Sequence, residues 1–131
     1  MLKSELTHLA YAGTIFKIEF YVTPSGQVLV EEWLNSTSLD FQKKFAALFV
    51  RLGDHGKIWN EQKFKHLEGS SQIFEFKADS GRILCFFFHG KRVILTHGFF
   101  KKGAKTPKGE IERARMFKED FERRIKAWKE N

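Results

Sequence analysis

The chain has 131 residues, 23 of them Lys or Arg against 16 Asp or Glu, for a formal net charge of +7. That length suits one domain, here residues 1–131, which can bury a sizeable core without metal or disulfide staples. A single cysteine, Cys85, excludes an internal disulfide framework; no stretch reaches the roughly 18 apolar residues of a membrane helix; and the N-terminus lacks the pattern of a secretory signal, so a cytoplasmic chain with a buried, reduced thiol is expected.

The charge is unevenly spread. Residues 1–56 carry five Lys or Arg and six Asp or Glu, whereas residues 57–131 carry eighteen and ten. A basic C-terminal half points to a nucleic acid or an acidic protein as partner. Fifteen Phe and three Trp make the expected core aromatic.

Residues 1–13 show no clean period and read as an N-terminal extension. From Ile15 to Val22 the pattern alternates, with Phe16, Ile18, Phe20 and Val22 on one face and Lys17, Glu19 and Tyr21 on the other, which predicts a half-buried strand. Thr23-Pro24-Ser25-Gly26 is a turn. A short helix is expected over 28–34 with Trp33 inward. Phe41, Phe45, Leu48, Phe49 and Leu52 then mark one face of an amphipathic helix, with a cap among 35–38 and Gly53 as its stop.

Residues 54–70 read as a connecting loop. Three strands follow, over 72–77, 82–89 and 92–100, joined by the Gly-containing turns Asp79-Ser80-Gly81 and His89-Gly90-Lys91. The unbroken apolar run 83–88 predicts a strand covered on both faces. A last helix is expected over 107–129, with Thr106 as N-cap, Pro107 in the first turn, and Ile111, Ala114, Phe117, Phe121, Ile125 and Trp128 along one stripe. The expected architecture is an α+β sandwich: a mainly antiparallel four-stranded sheet, made of one N-terminal strand plus a three-stranded meander, with two helices between the first two strands and a C-terminal helix.

Such a meander brings three strand ends to one edge, and those ends carry Lys77, Arg82, and Lys101 with Lys102. Period two places Glu75 on the face of Lys77. One carboxylate among cations suits RNA strand scission: a base for the ribose 2′-OH, cations for the charge growing on phosphorus, and an acid for the 5′-oxygen. Glu75 or His97 could serve as base, and Lys77, Arg82, Lys101 or Lys102 as electrostatic partners. Lys63, Lys65, Lys105 and Lys108 are candidate RNA contacts. The same cluster could equally be a solvated surface edge, and His97, sharing a strand face with Val93, Leu95 and Phe99, could be a satisfied core histidine. A phosphate-binding Gly-rich loop, zinc spacing and a serine nucleophile elbow are all missing from the sequence, so no metal or cofactor is expected.

Glu75-Phe76-Lys77, Gly81-Arg82-Ile83-Leu84, Leu95-Thr96-His97-Gly98-Phe99-Phe100-Lys101-Lys102 and Lys105-Thr106-Pro107 with Glu110-Ile111 and Ala114 together resemble the HigB-like, phage-derived branch of the RelE/ParE toxin superfamily, over residues 14–120. The resemblance implies a RelE-like sandwich and a type II toxin encoded beside an antitoxin, often a helix-turn-helix protein. It further implies a metal-independent endonuclease acting on mRNA in the ribosomal A site, with Arg82 matching the arginine that such nucleases set against phosphate. Lys77 stands where this branch usually has Arg, keeping the charge without the bidentate fork, and Ile73 and Glu75 replace lysines found in RelE itself. ParE-like members of the same fold poison DNA gyrase, so a gyrase poison or a non-catalytic nucleic-acid or protein-binding domain is the alternative.

Overall fold

The computed structural model describes residues 6–67, 69 and 72–130. The elements are β1 (Thr7–Ala12), β2 (Lys17–Tyr21), α1 (Leu29–Asn35), α2 (Leu39–His55), β3 (Phe64–His66), β4 (Phe74–Ala78), β5 (Gly81–Phe88), β6 (Arg92–Phe100) and α3 (Lys108–Glu130). One mixed sheet runs β1-β2-β6-β5-β4-β3. β2 and β6 are parallel, joined through both intervening helices and the meander, and the other neighbours are antiparallel.

The α+β sandwich is as expected, but the sheet has six strands rather than four. The two additional strands lie where periodicity gives no signal. In β1 the register steps from Leu9↔Glu19 to Tyr11↔Ile18, leaving Ala10 as an extra residue. That bulge breaks the alternation that would have marked a strand within the supposed extension; residues 1–5 of that segment lie outside the described residues. β3 has three residues, too few to show a period.

Both faces of the sheet are covered. Ile18, Phe45, Leu52, Phe76, Ile83, Cys85 and Leu95 pack beneath α1 and α2. Tyr21, Ile73, Leu84, Phe86, Ile94 and Phe121 pack beneath α3. The run 83–88 therefore divides between two cores, as a doubly covered strand should, and burial pushes the Cys85 thiol pKa up. β2 is not half-buried: Glu19 is 6% exposed and Tyr21 1%. Glu19 is tolerated inside because it accepts from Arg92 Nε (2.7 Å), Arg92 Nη2 (2.8 Å) and the Thr7 hydroxyl (2.7 Å), a bidentate pair that satisfies a buried carboxylate. The Tyr21 hydroxyl donates to Asp120, and burial together with that bond raises its pKa. The apolar stripe of α3 is buried as far as Ile125; Trp128 stands 46% exposed. No helix among the described residues is long and apolar enough to cross a membrane.

Ser38 caps α2, its hydroxyl accepting from Phe41 N at 3.1 Å. The helix does not stop at Gly53 but runs on to His55, where Gly56 takes the left-handed conformation (φ 78°) favoured at a helix end. Gly53 has a different task. The Gly53 carbonyl accepts from Ile15 N (2.7 Å) and Phe16 N (2.9 Å), and a Cβ on Gly13 would lie 2.3 Å from the Gly53 backbone. The β1–β2 hairpin thus presses directly on α2, and Asp54 fastens it by accepting from the Tyr11 hydroxyl (2.7 Å) and Thr14 N (3.0 Å).

Gly13→Ala is expected to destabilise the fold by about 1–3 kcal/mol, the range for forcing atoms into a packed contact. Gly109, helical and with open space at its Cβ position, should behave oppositely, Gly109→Ala gaining up to about 1 kcal/mol from helix propensity. Denaturant titration of the two variants checks the opposite signs.

Candidate functional site

The β4–β5 turn and the end of β6 meet as the strand order requires. Lys77 pairs with Arg82, Arg82 with Phe99 and Gly81 with Phe100, and Lys101 N donates to the Ser80 carbonyl at 2.7 Å. Residues distant in sequence therefore converge at one edge of the sheet.

The residue at the centre of this edge is Glu75, only 1% exposed. One carboxylate oxygen accepts a short hydrogen bond from the Thr106 hydroxyl. The other lies 3.5 Å from Arg82 Nε. The Thr106 hydroxyl is thus committed to the sheet, and the helix α3 starts one residue later than expected, at Lys108, where the Pro107 carbonyl accepts from Glu110 N and Ile111 N.

Glu75 forms part of the wall of an open cleft of about 570 Å³ between the sheet edge and the start of α3. Lys65, Lys77, Lys101, Lys105 and Lys108 line it, with Thr106 and Ile111. The Lys77 ammonium has its pKa lowered, first by burial and then by the like charges of Lys65, Arg82 and Lys101, against the opposing pull of Glu75. A lysine so placed surrenders its proton more readily than a free one. The cleft therefore joins a carboxylate, an acidified ammonium and a ring of cations.

Four of the expected site residues, Arg82, Lys102, Lys63 and His97, do not line this cleft. Arg82, following a turn, reads in sequence as exposed, yet it is 9% exposed. The Arg82 Nη1 donates to the carbonyls of Asp79 and Gly81, both at 2.8 Å, so the guanidinium braces the turn it follows, a turn in which Asp79 takes a positive φ of 52°. Arg82 Nε is buried and makes no hydrogen bond, which leaves Arg82 as a positive charge behind Glu75 rather than a group on the cleft surface. Lys102 is exposed on the same loop, outside the cleft wall. Lys63 lines a second cleft, on the side of α2.

His97 is sealed. It is 1% exposed, with Nε2 3.1 Å from Glu110 Oε1 and Nδ1 3.2 Å from Thr96 Oγ1. Its face-mates differ from those alternation predicts. The β5–β6 register runs Leu84↔His97 and then Cys85↔Leu95, so Thr96 is an extra residue. That bulge turns His97 and Phe99 towards α3, while Val93 and Leu95 face α1 and α2. Burial, and next the charge of Arg113, lower the His97 pKa to about 4 despite Glu110. The hydrogen bond between His97 Nε2 and Glu110 makes the ring a link between β6 and α3. Sequence patterning did not assign Thr106 to Glu75 or Glu110 to His97; Thr106, just before the helix, reads in sequence as its N-cap instead.

The depressed His97 pKa has a defined sign. Between pH 6.5 and about 4 the unfolded chain binds a proton at His97 that the folded chain does not, so stability falls as pH is lowered through this window. Denaturant-derived stability of wild type should therefore drop more from pH 6.5 to 4 than that of His97→Gln. Parallel pH profiles would overturn the assignment of a buried neutral ring.

The family described as "Phage derived protein Gp49-like (DUF891)" matches residues 32–119, two thirds of the chain. The matched span runs from α1 into α3 and contains every residue lining the cleft. No curated protein matches the chain. With two thirds of the chain and the whole of its cleft inside the match, the chain belongs to the phage-derived Gp49-like family.

Proposed function

We propose that the chain, over residues 1–131, is the toxin of a type II toxin–antitoxin pair and that it cuts mRNA on the ribosome, using its own side chains. Membership of the Gp49-like family is compatible with a toxin and with an antitoxin partner. The observation that carries the nuclease reading is the cleft in which buried Glu75 and the acidified Lys77 share a wall with Lys65, Lys101, Lys105 and Lys108.

In this scheme the cations hold the phosphates either side of the scissile bond. Glu75 takes the proton of the ribose 2′-OH, whose oxygen attacks phosphorus. The bond to the 5′-oxygen breaks as Lys77 delivers a proton to it, leaving a 2′,3′-cyclic phosphate and a free 5′-hydroxyl. Lys101, with Arg82 behind Glu75, opposes the negative charge that grows on the phosphoryl oxygens. The lowered pKa of Lys77 suits a general acid, because proton donation is most effective when the pKa approaches the working pH. The arrangement also accounts for Lys in place of Arg at position 77: a guanidinium cannot act as an acid near neutrality.

A binding-only reading has one observation in its favour. Arg82 and His97, both candidates for chemistry, are bound to the protein itself and shielded. A gyrase poison or other protein-binding domain would need only the cationic surface.

Induction of the chain in a bacterium, followed by pulse labelling of protein and DNA, separates the two: a fall in translation with cleaved transcripts supports the nuclease, and a fall in replication alone overturns it. On purified ribosomes with a defined mRNA, Lys77→Arg should retain RNA binding yet lose on the order of 10²–10⁴ in cleavage rate, the usual worth of a general acid. Full cleavage by Lys77→Arg would leave Lys77 a purely electrostatic role.

A further inference from the structure

Lys77 stands at the junction of two clefts. Besides the one holding Glu75, it lines a cleft of about 440 Å³ between α2 and the β3–β4 edge, together with Lys44, Arg51, Lys63 and Asp79. Among the described residues that line it, one carboxylate, Asp79, faces four cations, and Lys44 Nζ lies 2.8 Å from Asp79 Oδ2 and 3.9 Å from Asp40 Oδ2 outside the lining. Lys44 and Arg51 are seven residues apart, two turns of helix, and so share one face of α2. They play no part in the core or in the cleft around Glu75.

The two clefts share Lys77 as a lining residue. Lys65 on β3 lines the first, and Lys63, immediately before β3, lines the second. Lys63 is held there by backbone: the Lys63 carbonyl accepts from Lys77 N at 2.8 Å, and Lys63 N donates to the Asn60 carbonyl at 2.9 Å. That turn also presents Trp59, next to Asn60 and 83% exposed, with Lys57 Nζ 4.7 Å from its ring centroid. An aromatic face set among cations is the combination that stacks a base while neighbouring charges hold the backbone.

We infer that the cleft lined by Lys44, Arg51, Lys63 and Lys77 is a second phosphate-binding subsite, over which a single-stranded RNA continues after leaving the Glu75 cleft. The inference rests on the nucleic-acid reading above, and it extends the contact surface to α2. A strand of nucleic acid is favoured over an acidic protein because Lys77 belongs to both clefts, so one phosphate chain can contact the cations of each, and the exposed Trp59 adjoins the turn that carries Lys63. Phosphate contacts of this kind hold register and direction rather than base sequence.

The test uses the full chain and two labelled RNAs, one of roughly four nucleotides and one of roughly twelve, spanning the site sizes of small single-strand binders. Lys44→Gln with Arg51→Gln should bind the short RNA as wild type does and the long RNA more weakly. For the long RNA the slope of log K against log[salt] should flatten by about 1.4, or roughly 0.7 for each phosphate no longer neutralised. Both side chains are exposed, and surface ion pairs add little stability, so the variant should fold; if it does not, Arg51→Gln alone, flattening the slope by about 0.7, carries the same test. Lys101→Gln with Lys102→Gln serves as the reference, weakening both RNAs. If the α2 variant binds both lengths as wild type does while the reference variant weakens both, the second subsite is overturned and the first stands. If that unchanged RNA binding comes with weaker capture of the protein encoded alongside, the cleft belongs to an acidic partner. If wild type binds neither RNA, the nucleic-acid reading falls and the subsite with it.

Discussion

Glu75 is a carboxylate drawn into a sheet, and the position of the whole cationic edge depends on how it is satisfied. A buried carboxylate without partners is strongly unfavourable, so the chain must bring donors to it. Thr106 does so from the loop between β6 and α3, and Arg82 stands on its other side. Glu75, Leu84 and His97 form one row across β4, β5 and β6. The two polar ends of that row are bound by Thr106 and Glu110, residues one helical turn apart. The start of α3 is therefore fixed to the sheet at two points. The loop of residues 101–107 is tied near both ends, by Lys101 N to the Ser80 carbonyl and by the Thr106 hydroxyl to Glu75, and its Lys101 and Lys105 line the cleft that Glu75 walls.

The extra residue at Thr96 makes that second anchor possible. A one-residue slip along a strand exchanges every side chain between the two faces. Before the bulge Val93 and Leu95 feed the core beneath α1 and α2; after it His97 and Phe99 face α3. The exchange also sends position 98 to the side of Trp33, where a Cβ would lie 2.4 Å from the indole; only glycine fits there. Strict alternation through 93–100 would have put the imidazole among the aromatic rings of the first core, without Glu110.

The parts of the fold that were legible in the sequence are those governed by one repeating rule. The amphipathic face of α2, the meander, the doubly covered run in β5 and the stripe of α3 all follow from periodicity, and the convergence of Lys77, Arg82 and Lys101 follows from counting strand directions. What periodicity could not reveal were the exceptions to it: β1, interrupted by a bulge at Ala10; β3, three residues long; and the flip at Thr96. Side-chain commitments were equally hidden. An arginine after a turn looks solvent-exposed in sequence, yet Arg82 folds back on the carbonyls of that turn. A threonine before a helix looks like a cap, yet Thr106 reaches across to β4. Thr106 answers the buried carboxylate of Glu75, and Arg82 stands 3.5 Å from it while bracing its own turn, tertiary relations that local pattern does not encode. The pairing of Glu19 with Arg92, 73 positions apart, is hidden for the same reason.

The distribution of forces has a consequence for the cluster of like charges. Lys65, Lys77, Arg82 and Lys101 sit close enough for the others to depress the Lys77 pKa, so the folded state bears mutual repulsion at this edge. Two apolar cores on either side of the sheet, and the ion pairs along α3 such as Arg124 with Asp120, supply stability away from the cleft and allow that repulsion to persist. A polyanion entering the cleft would relieve it, because each phosphate replaces cation–cation repulsion with attraction. Binding energy is thus held in reserve in the empty protein. The same crowding that makes the edge unfavourable when unliganded keeps Lys77 closer to releasing its proton. The phosphate binding proposed above and the acidity at position 77 share one contribution, the like charges of Lys65, Arg82 and Lys101, which adds to the burial that lowers the Lys77 pKa first and works against the pull of Glu75.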